Sequence, residues 1–318
     1  MDLSDDERAL VRPGDPPGGG DAMKAVLTPD RFSDPAWMFE RKLDGIRCIA
    51  VRDGAGTRLL SRNDLSLNGR YPEVAEALGG QACERFAVDG EVVAFDGDET
   101  SFAKLTRRAR EYVPVFYYVF DLLWLDGQDV RALPLRTRKR LLRDVLAWQD
   151  PLRFTQHRNA DGEAFFAEAC AKGWEGLIAK RVDSPYGGGR SKDWLKFKCG
   201  HGQELVIGGF TEPHGTRIEF GALLVGYYDG DGALRYAGKV GTGFDRPLLR
   251  SLGERLRGLA RDDSPFADEV RERGVTWVAP ELVAQIGFSE WTRDGRLRHP
   301  RFLGLRDDKA AREVVREG

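Results

Sequence analysis

A lysine in a predicted tight turn is the first residue of this sequence that could act as a nucleophile. Lys42 is followed by Asp44 and Gly45, a pair that favours a turn between two strands. A lysine amine can attack an electrophilic centre when burial or neighbouring cations lower its pKa. Taken alone, the same short pattern also describes an exposed turn lysine. The chemistry therefore depends on the residues that accompany it.

Five further short motifs follow and hold residues suited to nucleotide and metal binding. They are Ser61-Arg62-Asn63, Asp89-Gly90-Glu91, Tyr118-Val119-Phe120-Asp121, Glu175-Gly176-Leu177-Ile178-Ala179-Lys180 and Trp194-Leu195-Lys196-Phe197-Lys198. Alternation along the last strand points both of its lysines to one face. Guanidinium groups suit phosphate, carboxylates suit Mg²⁺, and flat aromatic rings suit bases. Each motif alone could be a solvated strand face or a core aromatic, but six in this order are more specific than any one.

The elements that must position these motifs divide the chain into three segments. Residues 1–22 are rich in Asp, Pro and Gly and predict a disordered acidic tail. Within 23–200 the apolar pattern predicts strands at 46–51, 86–95, 113–125, 176–182 and 194–198. Helical periodicity follows at 135–148 and 163–170.

The pattern changes within 201–318. Short strands are predicted at 205–210, 222–228 and 234–240, with a hairpin turn at 229–232. One amphipathic helix spans about 246–259, strand-like sequence resumes at 275, and a basic helix is expected near the end. Short strands with a single helix are typical of a small closed β-barrel such as an OB-fold.

Composition sets limits on the class of protein. A length of 318 residues suggests about two domains, and 31% charged residues are too many for a membrane bundle. The net charge of −2 argues against a strongly basic nucleic-acid binder. Six acids and two arginines in 1–22 contribute −4, however, so residues 23–318 carry −2 − (−4) = +2. Only 11 of the 49 basic residues are lysines, and several of these fall in the motifs.

The N-terminal sequence and the cysteines bear on the compartment. The first residues have neither the basic region nor the apolar run of a secretory signal. Four scattered cysteines form no paired motif, so we expect neither a disulfide framework nor a zinc cage. We therefore expect a cytoplasmic protein that is not associated with a membrane.

The ordered motifs resemble those of the covalent nucleotidyltransferase superfamily, and in particular the bacterial ATP-dependent DNA ligases of the LigD-module and stand-alone type. The most specific runs are residues 120–127, 175–180, 184–186, 238–244, 298–302 and 304–309, and the resemblance covers about 23–318. It implies an α+β protein: a nucleotidyltransferase (adenylation) domain of antiparallel sheets with flanking helices over 23–200, and a C-terminal OB-fold β-barrel domain over 201–318.

The resemblance also implies a role for each motif residue in the first domain. Lys42 would attack the α-phosphorus of ATP to form a lysyl–AMP adduct. Lys196 and Lys198 would bind the α-phosphate and lower the pKa of the nucleophile by repulsion. The remaining roles are adenine contact for Glu40, ribose and phosphate binding for Arg47 and Arg62, ribose or metal binding for Glu91, adenine stacking for Phe120, Mg²⁺ binding for Glu175, and added positive charge from Lys180 and Arg190.

In the second domain the resemblance assigns Arg306 and Lys309 to the leaving pyrophosphate. They would swing over the active site for the first step, so the domains would have to close and reopen about a hinge near 199–203. The implied cofactors are ATP and Mg²⁺, with Mn²⁺ as an alternative metal. The implied partners are nicked or broken duplex DNA and other repair or end-joining proteins. The resemblance also implies a monomer that is associated with the nucleoid of a bacterium.

Three other functions remain open from the sequence. An mRNA-capping guanylyltransferase also uses Lys-x-Asp-Gly but takes GTP, and an RNA ligase shares the same lysine chemistry. A non-catalytic OB-fold nucleic-acid-binding protein would bind DNA without needing Lys42. The intact set of motif lysines and glutamates favours the DNA ligase over the binding module.

Overall fold

Alternating apolar and polar residues build the two main β-sheets within the first 199 residues of the chain. The computed structural model describes residues 1–108, 112–199, 201–213 and 218–317. It divides into two compact units, residues 1–199 and 200–318. The division falls beside the domain boundary that the sequence predicts at 200. The antiparallel sheets of the chain, with their flanking helices, agree with the α+β class that the sequence predicts.

The larger sheet of the first unit has seven strands. They are β1 (Arg12–Pro13), β4 (Ile46–Asp53), β5 (Gly56–Leu60), β6 (Phe86–Val93), β9 (Phe116–Leu125), β10 (Gln128–Asp129) and β11 (Leu152–Phe154). Their spatial order is β1, β10, β9, β6, β4, β5, and β11 pairs in parallel with β9. One face, including Cys48 and Ala50, enters the main core of this unit, while Ile49 and Val51 point to the other face.

The smaller sheet has five strands and carries most of the motif lysines. They are β2 (Met23–Leu27), β3 (Trp37–Arg41), β12 (His157–Asn159), β13 (Gly176–Arg181) and β14 (Gly189–Lys198). Their order is β12, β3, β13, β14, β2. One face buries Phe39, Leu177 and Phe197 against Phe165 and Ala169. A short hairpin, β7 (Phe95–Asp96) and β8 (Glu99–Thr100), follows β6.

Five helices flank these sheets. They are α1 (Asp5–Arg8), α2 (Pro72–Gly79), α3 (Phe102–Arg107), α4 (Leu135–Val145) and α5 (Gly162–Ala171). The two predicted helices correspond to α4 and α5, but α4 ends three residues early because Leu146 takes an extended backbone. The two sheets pack together through one apolar cluster that includes Ile49, Phe120, Tyr186 and Trp194.

The N-terminal segment corrects one prediction, since residues 1–22 are not a disordered tail. Ser4 and Glu7 cap α1 reciprocally, and Leu3 is buried in the core of the first unit. The indole N–H of Trp124 donates to the carbonyl of Gly14 at 2.6 Å. The acidic composition of this segment led to the prediction of disorder, but the segment also contains a Ser-x-x-Glu capping box, which is a signal for a helix start.

A second correction concerns the cysteines. Cys170, in α5, and Cys199, just after β14, form a disulfide bond although 29 positions separate them. The sequence predicts no disulfide because neither cysteine belongs to a paired motif. The packing of α5 on the sheet face that carries β13 and β14 brings the two together. Cys48 and Cys83 are free thiols.

The described residues of the second unit form a seven-stranded antiparallel sheet, a separate two-stranded sheet at 290–298 and one helix. Its strands are β15 (His201–Thr211), β16 (Leu223–Tyr228), β17 (Leu234–Val240), β18 (Ala260–Arg261), β19 (Val275–Val278), β20 (Val283–Phe288), β21 (Glu290–Trp291), β22 (Leu297–Arg298) and β23 (Arg301–Leu305). The helix is α6 (Arg246–Gly258). The predicted hairpin turn is present, because Gly232 takes a left-handed backbone between β16 and β17.

Two details of the second unit differ from the sequence prediction. Among the strands the structure describes, no pair closes the barrel: β17 and β18 end one path, and β20 joins β15 to β23. Instead of a C-terminal basic helix, the described residues after β23 form only a 3₁₀ turn at Ala311–Glu313. Within the described ranges, no helix is both long and apolar enough to span a membrane.

Candidate active site

Lys42 follows β3 directly and is fixed by both its backbone and its side chain. Its backbone N–H donates to the Gly176 carbonyl at 2.9 Å, and its ammonium group forms an ion pair with the Glu175 carboxylate. The turn beyond it requires glycine, because a Cβ on Gly45 would lie 2.2 Å from the Val92 carbonyl oxygen. The strand end, the ion pair and the glycine turn therefore present this lysine in one position.

The carboxylates around Lys42 set its charge. Burial lowers the pKa of Lys42, but attraction to Glu175, and more weakly to Asp44 and Glu91, outweighs burial and raises the pKa above its ordinary value. The predicted lowering of this pKa by Lys196 and Lys198 is wrong here, since carboxylates and not ammonium groups dominate the surroundings. Lys42 is thus held protonated until its pairing with Glu175 is broken.

One face of the smaller sheet brings four of the predicted nucleotide-binding residues together. Strand register sets Ile178 opposite both Glu40 and Lys196, and residues opposite each other share a face. Alternation along β3, β13 and β14 gives that face its remaining polar members, Lys180 and Lys198. This face is the one turned away from α5.

Three of the residues near this face form a buried ionic cluster. The Glu40 carboxylate accepts a hydrogen bond from Lys139 at 2.5 Å and forms an ion pair with Lys180 at 2.6 Å, and all three side chains are at most 3% exposed. Burial raises the pKa of Glu40, but the two ammonium groups outweigh burial and lower it overall. Burial, opposed by Glu40 and assisted by Lys139, lowers the pKa of Lys180 to about 8. The Glu40 carboxylate is therefore anchored from both sides.

Lys139 is a member of this cluster that sequence reasoning missed. It lies on α4 and also donates to the Thr155 carbonyl at 3.1 Å. Its position gave a signal, because it follows Leu135 by four residues and precedes Leu142 by three, so it lies on the apolar face of the helix. A lysine on such a face needs a buried carboxylate as its partner.

Arg47 lies on the larger sheet and is held by Asp89. Its guanidinium donates to both carboxylate oxygens of Asp89 at 2.5 Å and to the Met23 carbonyl at 3.0 Å. The Tyr186 hydroxyl donates to the same carboxylate at 2.6 Å. Burial lowers the pKa of Arg47, but the Asp89 carboxylate reverses this and raises it. Asp89 and Tyr186 stand within quoted motifs, but neither was predicted as a site residue.

Phe120 lies between the two sheets with cations over its ring. The Lys180 ammonium is 4.1 Å from the ring centroid and the Arg47 guanidinium carbon is 4.7 Å away. Trp194 packs edge-on at 5.9 Å, and Phe120 is 8% exposed. An aromatic ring flanked by cations is chemically suited to an electron-rich base and its phosphates.

The other predicted residues of the first unit are dispersed around this centre. Glu91, on β6, is half-buried and lies opposite Arg47 in the sheet. Arg62 is half-buried in the turn after β5. Arg190 is exposed near the start of β14, opposite Lys24. Of these three, Glu91 contributes to the raised pKa of Lys42, through the attraction of its negative charge.

The residues predicted to hold a metal suit Mg²⁺ bound together with phosphates. Glu91 and Glu175 both act on Lys42 electrostatically, so their carboxylates converge on the same centre. No group of three or more His, Cys, Asp or Glu side chains suited to a metal ion occurs within the described residues. Mg²⁺ commonly takes one or two carboxylates and completes its shell with substrate phosphates and water, and this donor set fits that pattern.

Arg306 and Lys309, in the second unit, are held by carboxylates of that unit. Arg306 donates to Asp308 at 2.9 and 3.0 Å, and the Lys309 ammonium pairs with Glu204 at 2.5 Å. Arg306 is 8% exposed and Lys309 11%. Both cations thus have acidic partners close by.

Comparison with known proteins gives consistent matches along the chain. Residues 22–198 match the model of the ATP dependent DNA ligase domain, and residues 216–309 match the ATP dependent DNA ligase C terminal region. The chain is 40% identical over 291 residues to the multifunctional non-homologous end joining protein LigD of Pseudomonas aeruginosa, covering 88% of this chain and 35% of that protein.

Two further relatives agree with this. The LigD protein of Mycobacterium tuberculosis H37Rv is 40% identical over 287 residues, covering 88% of this chain and 37% of the relative. A solved structure described as mycobacterial DNA ligase D complexed with ATP and MES is 37% identical, with a TM-score of 0.68, covering 93% of this chain and 98% of that chain. The chain therefore spans little more than a third of the full LigD relatives but nearly all of this solved chain.

Proposed function

Because the chain belongs to the ATP-dependent DNA ligase family, we propose that it seals breaks in duplex DNA through a lysyl–AMP intermediate. The observation that carries this proposal is the position of Lys42, fixed at the end of β3 beside Glu175. An amine held at one point beside a carboxylate and a face of cations is what nucleotidyl transfer to lysine needs.

In the proposed first step the Lys42 Nζ attacks the α-phosphorus of ATP. A phosphorus–nitrogen bond forms, the bond to the pyrophosphate oxygen breaks, and the amine proton is lost. Mg²⁺, when bound through Glu91 and Glu175, would neutralise charge on the phosphates. Withdrawal of Glu175 from Lys42 leaves burial to lower the pKa of the amine, so that the lysine can become the neutral nucleophile.

The other site residues are proposed to bind and orient the nucleotide. Phe120 stacks on adenine, and Glu40 lies at the adenine end of the site with its carboxylate fixed by Lys139 and Lys180. The residues proposed to contact the phosphates and the ribose are Arg47, Arg62, Glu91, Arg190, Lys196 and Lys198. Arg306 and Lys309 of the second unit are proposed to bind pyrophosphate, which requires release from Asp308 and Glu204.

Steps two and three are proposed to complete the seal. An oxygen of the DNA 5′-phosphate attacks the adenylate phosphorus, and the bond to Lys42 breaks. The adjacent 3′-hydroxyl then attacks the DNA phosphorus, the new phosphodiester forms, and AMP leaves. The lysine adduct divides one difficult displacement into easier ones.

We further propose that this activity serves the joining of DNA ends. The LigD relatives are named for non-homologous end joining, and the chain matches a part of them. Other end-joining proteins are the proposed partners. Proteins that co-purify with the tagged chain from cells with broken DNA would identify them, and recovery of none that act on DNA ends would contradict this assignment.

The test of the chemistry is mass spectrometry after incubation with Mg²⁺ and either ATP or GTP. We expect an AMP adduct on Lys42, no GMP adduct, and sealing of a nicked DNA duplex but not of a nicked RNA duplex. Lys42→Ala should abolish both adduct and sealing. A GMP adduct would favour the capping reaction, and an AMP adduct that persists in Lys42→Ala would refute the role of this lysine.

A further inference from the structure

A cavity lies in the first unit next to the lysine turn, and none of the roles assigned above uses it. It has a volume of about 670 Å³ and is lined by Arg41, Phe95, Phe116, Arg153, Lys172 and Trp174, among others. We call it the Arg41–Trp174 pocket. Its size falls within the ~300–1,000 Å³ of typical small-ligand sites.

Cations in this pocket lie against aromatic rings. The Arg41 guanidinium carbon is 4.3 Å from the Trp174 ring centroid, and the Lys172 ammonium is 5.3 Å from the same ring. Arg153 lies 5.2 Å from the Phe116 ring centre. Single-stranded nucleic acid is bound by this combination, with rings that stack on bases and cations that pair with phosphates.

The cations that line the pocket keep hydrogen-bonding capacity for a ligand. Among the described residues, Nε of Arg41 is buried and has no hydrogen-bond partner. Lys172 pairs with Glu168 at 2.6 Å and Arg153 with Asp150 at 2.5 Å, but these four side chains are 33–60% exposed. Exposed ion pairs contribute at most about 1 kcal/mol, so a phosphate can replace the carboxylates.

The course of β9 relates the pocket to the nucleotide site. Phe120, the proposed adenine contact, Tyr118 and Phe116 follow one another at every second position, so they share a face. Tyr118 lies opposite Glu91 in the sheet. Phe116 is four residues from Phe120, about 13 Å along the strand. The Arg41–Trp174 pocket therefore begins on the far side of Glu91 from the proposed adenine site, and Arg41 adjoins Lys42.

The geometry of phosphoryl transfer decides which strand would reach the pocket. The attacking and leaving oxygens lie roughly in line through the phosphorus. In the last step AMP leaves, so the attacking 3′-hydroxyl must approach from the side opposite to AMP. We propose that the Arg41–Trp174 pocket binds the terminal nucleotide of the DNA strand that ends in the 3′-hydroxyl. This inference rests on the proposed ligase function and adds a substrate subsite to it.

The first experiment compares a double variant of the pocket with a control variant outside it, and each of the two loses one ion pair to Glu168. Lys172 and Arg158 both bind Glu168, at 2.6 and 2.5 Å, but only Lys172 lines the pocket. We expect the Lys172→Ala/Arg153→Ala double variant to bind a nicked duplex about tenfold more weakly, with a salt slope smaller by about two. Arg158→Ala should match the wild type, and equal losses in both would overturn the proposal.

The second experiment locates the strand directly. A nicked duplex carries 5-iododeoxyuridine either at its 3′-hydroxyl terminus or at its 5′-phosphate terminus, and is irradiated with the adenylylated protein in the absence of divalent metal. We expect the 3′-hydroxyl probe to cross-link to a peptide that contains Phe116 or Trp174. A cross-link from the 5′-phosphate probe instead, or from the 3′ probe only at other peptides, would overturn the proposal.

The failures of the two proposals can be told apart. If wild-type protein forms no AMP adduct with ATP, the ligase function fails, and the pocket proposal that rests on it fails as well. If adduct and sealing are normal while the 3′ probe cross-links elsewhere, only the pocket proposal fails. Cross-linking in the pocket together with sealing supports both.

Discussion

At the scale of single residues, the main cations of the site are paired with carboxylates of their own unit. Lys42 pairs with Glu175, and Arg47 with Asp89. Lys180 pairs with Glu40. Incoming phosphates must therefore compete with fixed acids, and this competition can distinguish a triphosphate with its metal from weaker anions. The most deeply buried of these groups is the Glu40 cluster, on which two predictions rest.

Lys139→Met should destabilise the protein by about 3 kcal/mol, because it removes one of the two cations that compensate the buried Glu40 carboxylate. Urea unfolding would measure this loss. The control is Lys172→Met, which removes an exposed pair to Glu168 and should change the free energy of unfolding by at most about 1 kcal/mol. Equal effects of the two substitutions would contradict the compensating role of Lys139.

Lys180 should make stability depend on pH between about 8 and 10.5. Its pKa is about 8 in the folded protein against an ordinary value of 10.5, so in this range the unfolded chain holds a proton that the folded chain has lost. Its contribution to the free energy of unfolding is therefore present above pH 10.5 and is lost as the pH falls through 8, a change of about 3 kcal/mol.

Comparison of unfolding curves for wild type and Lys180→Met at pH 7 and pH 10.5 checks the direction of this pH dependence. The wild type should gain stability relative to the variant as the pH rises. Lys104→Met, at a more exposed lysine paired with Asp96 at 3.1 Å, is the control for removal of a lysine charge. A gap between wild type and Lys180→Met that stays constant with pH would rule out the low pKa.

At the scale of elements, strands with clear alternation could be predicted from the sequence, and residues joined by long-range packing could not. The predicted segment 234–240 is β17 itself. The predicted segment 194–198 is only the end of β14, which begins at Gly189 because it pairs in parallel with β2. That pairing joins strands more than 160 positions apart, and no local pattern reveals it.

The residues of the candidate site also differ in how far the sequence could predict their roles. Lys42 and Glu175 belong to short motifs of characteristic spacing, and the structure joins them. Lys139 belongs to none of these motifs, and Tyr186 belongs to one whose spacing does not indicate its side-chain role. The roles of both residues arise from contacts made across the unit. Residue types therefore indicated the reaction, while the supporting side chains became visible only with the packing.

The turn between β3 and β4 should tolerate no side chain at Gly45. A Cβ there would lie 2.2 Å from the Val92 carbonyl oxygen, so Gly45→Ala must displace the strand end that carries Lys42. We expect a loss of about 1–3 kcal/mol in stability and adduct formation slowed about a hundredfold. The rate of AMP-adduct formation measures the second effect.

Gly54 provides the matched control, since it stands in the next turn and a Cβ there meets nothing within 4 Å. Gly54→Ala should leave stability and the adduct rate within twofold of wild type. If Gly45→Ala behaves in the same way, the turn does not position the lysine.

At the scale of the whole molecule, the two units carry different parts of the proposed reaction. The first holds Lys42 and the residues proposed to bind the base, and the second holds Arg306 and Lys309 with their own acidic partners. A net charge of −2 does not reveal this division, because the functional cations are few and locally placed. The proposed cycle therefore needs the second unit for adduct formation more than for the later steps.

Lys309→Ala should slow AMP-adduct formation about a hundredfold while sealing of a pre-adenylylated nick falls less than tenfold. Single-turnover assays with ATP and with adenylylated DNA separate these steps. Arg255→Ala is the control, because Arg255 forms an exposed pair with Asp307, close to Lys309 in sequence, and should affect neither step. Equal losses in both steps for Lys309→Ala would point to a role in folding of the second unit.

The disulfide between Cys170 and Cys199 has a consequence for controlled proteolysis. The loop that it closes contains Glu175, Lys180 and Lys196. The loop also contains the exposed Arg190, a site for trypsin. Cleavage there would yield two fragments that migrate separately on a reducing gel but as a single band on a non-reducing one. After cleavage the disulfide would therefore keep β13, which carries Lys180, covalently joined to the end of β14, which carries Lys196.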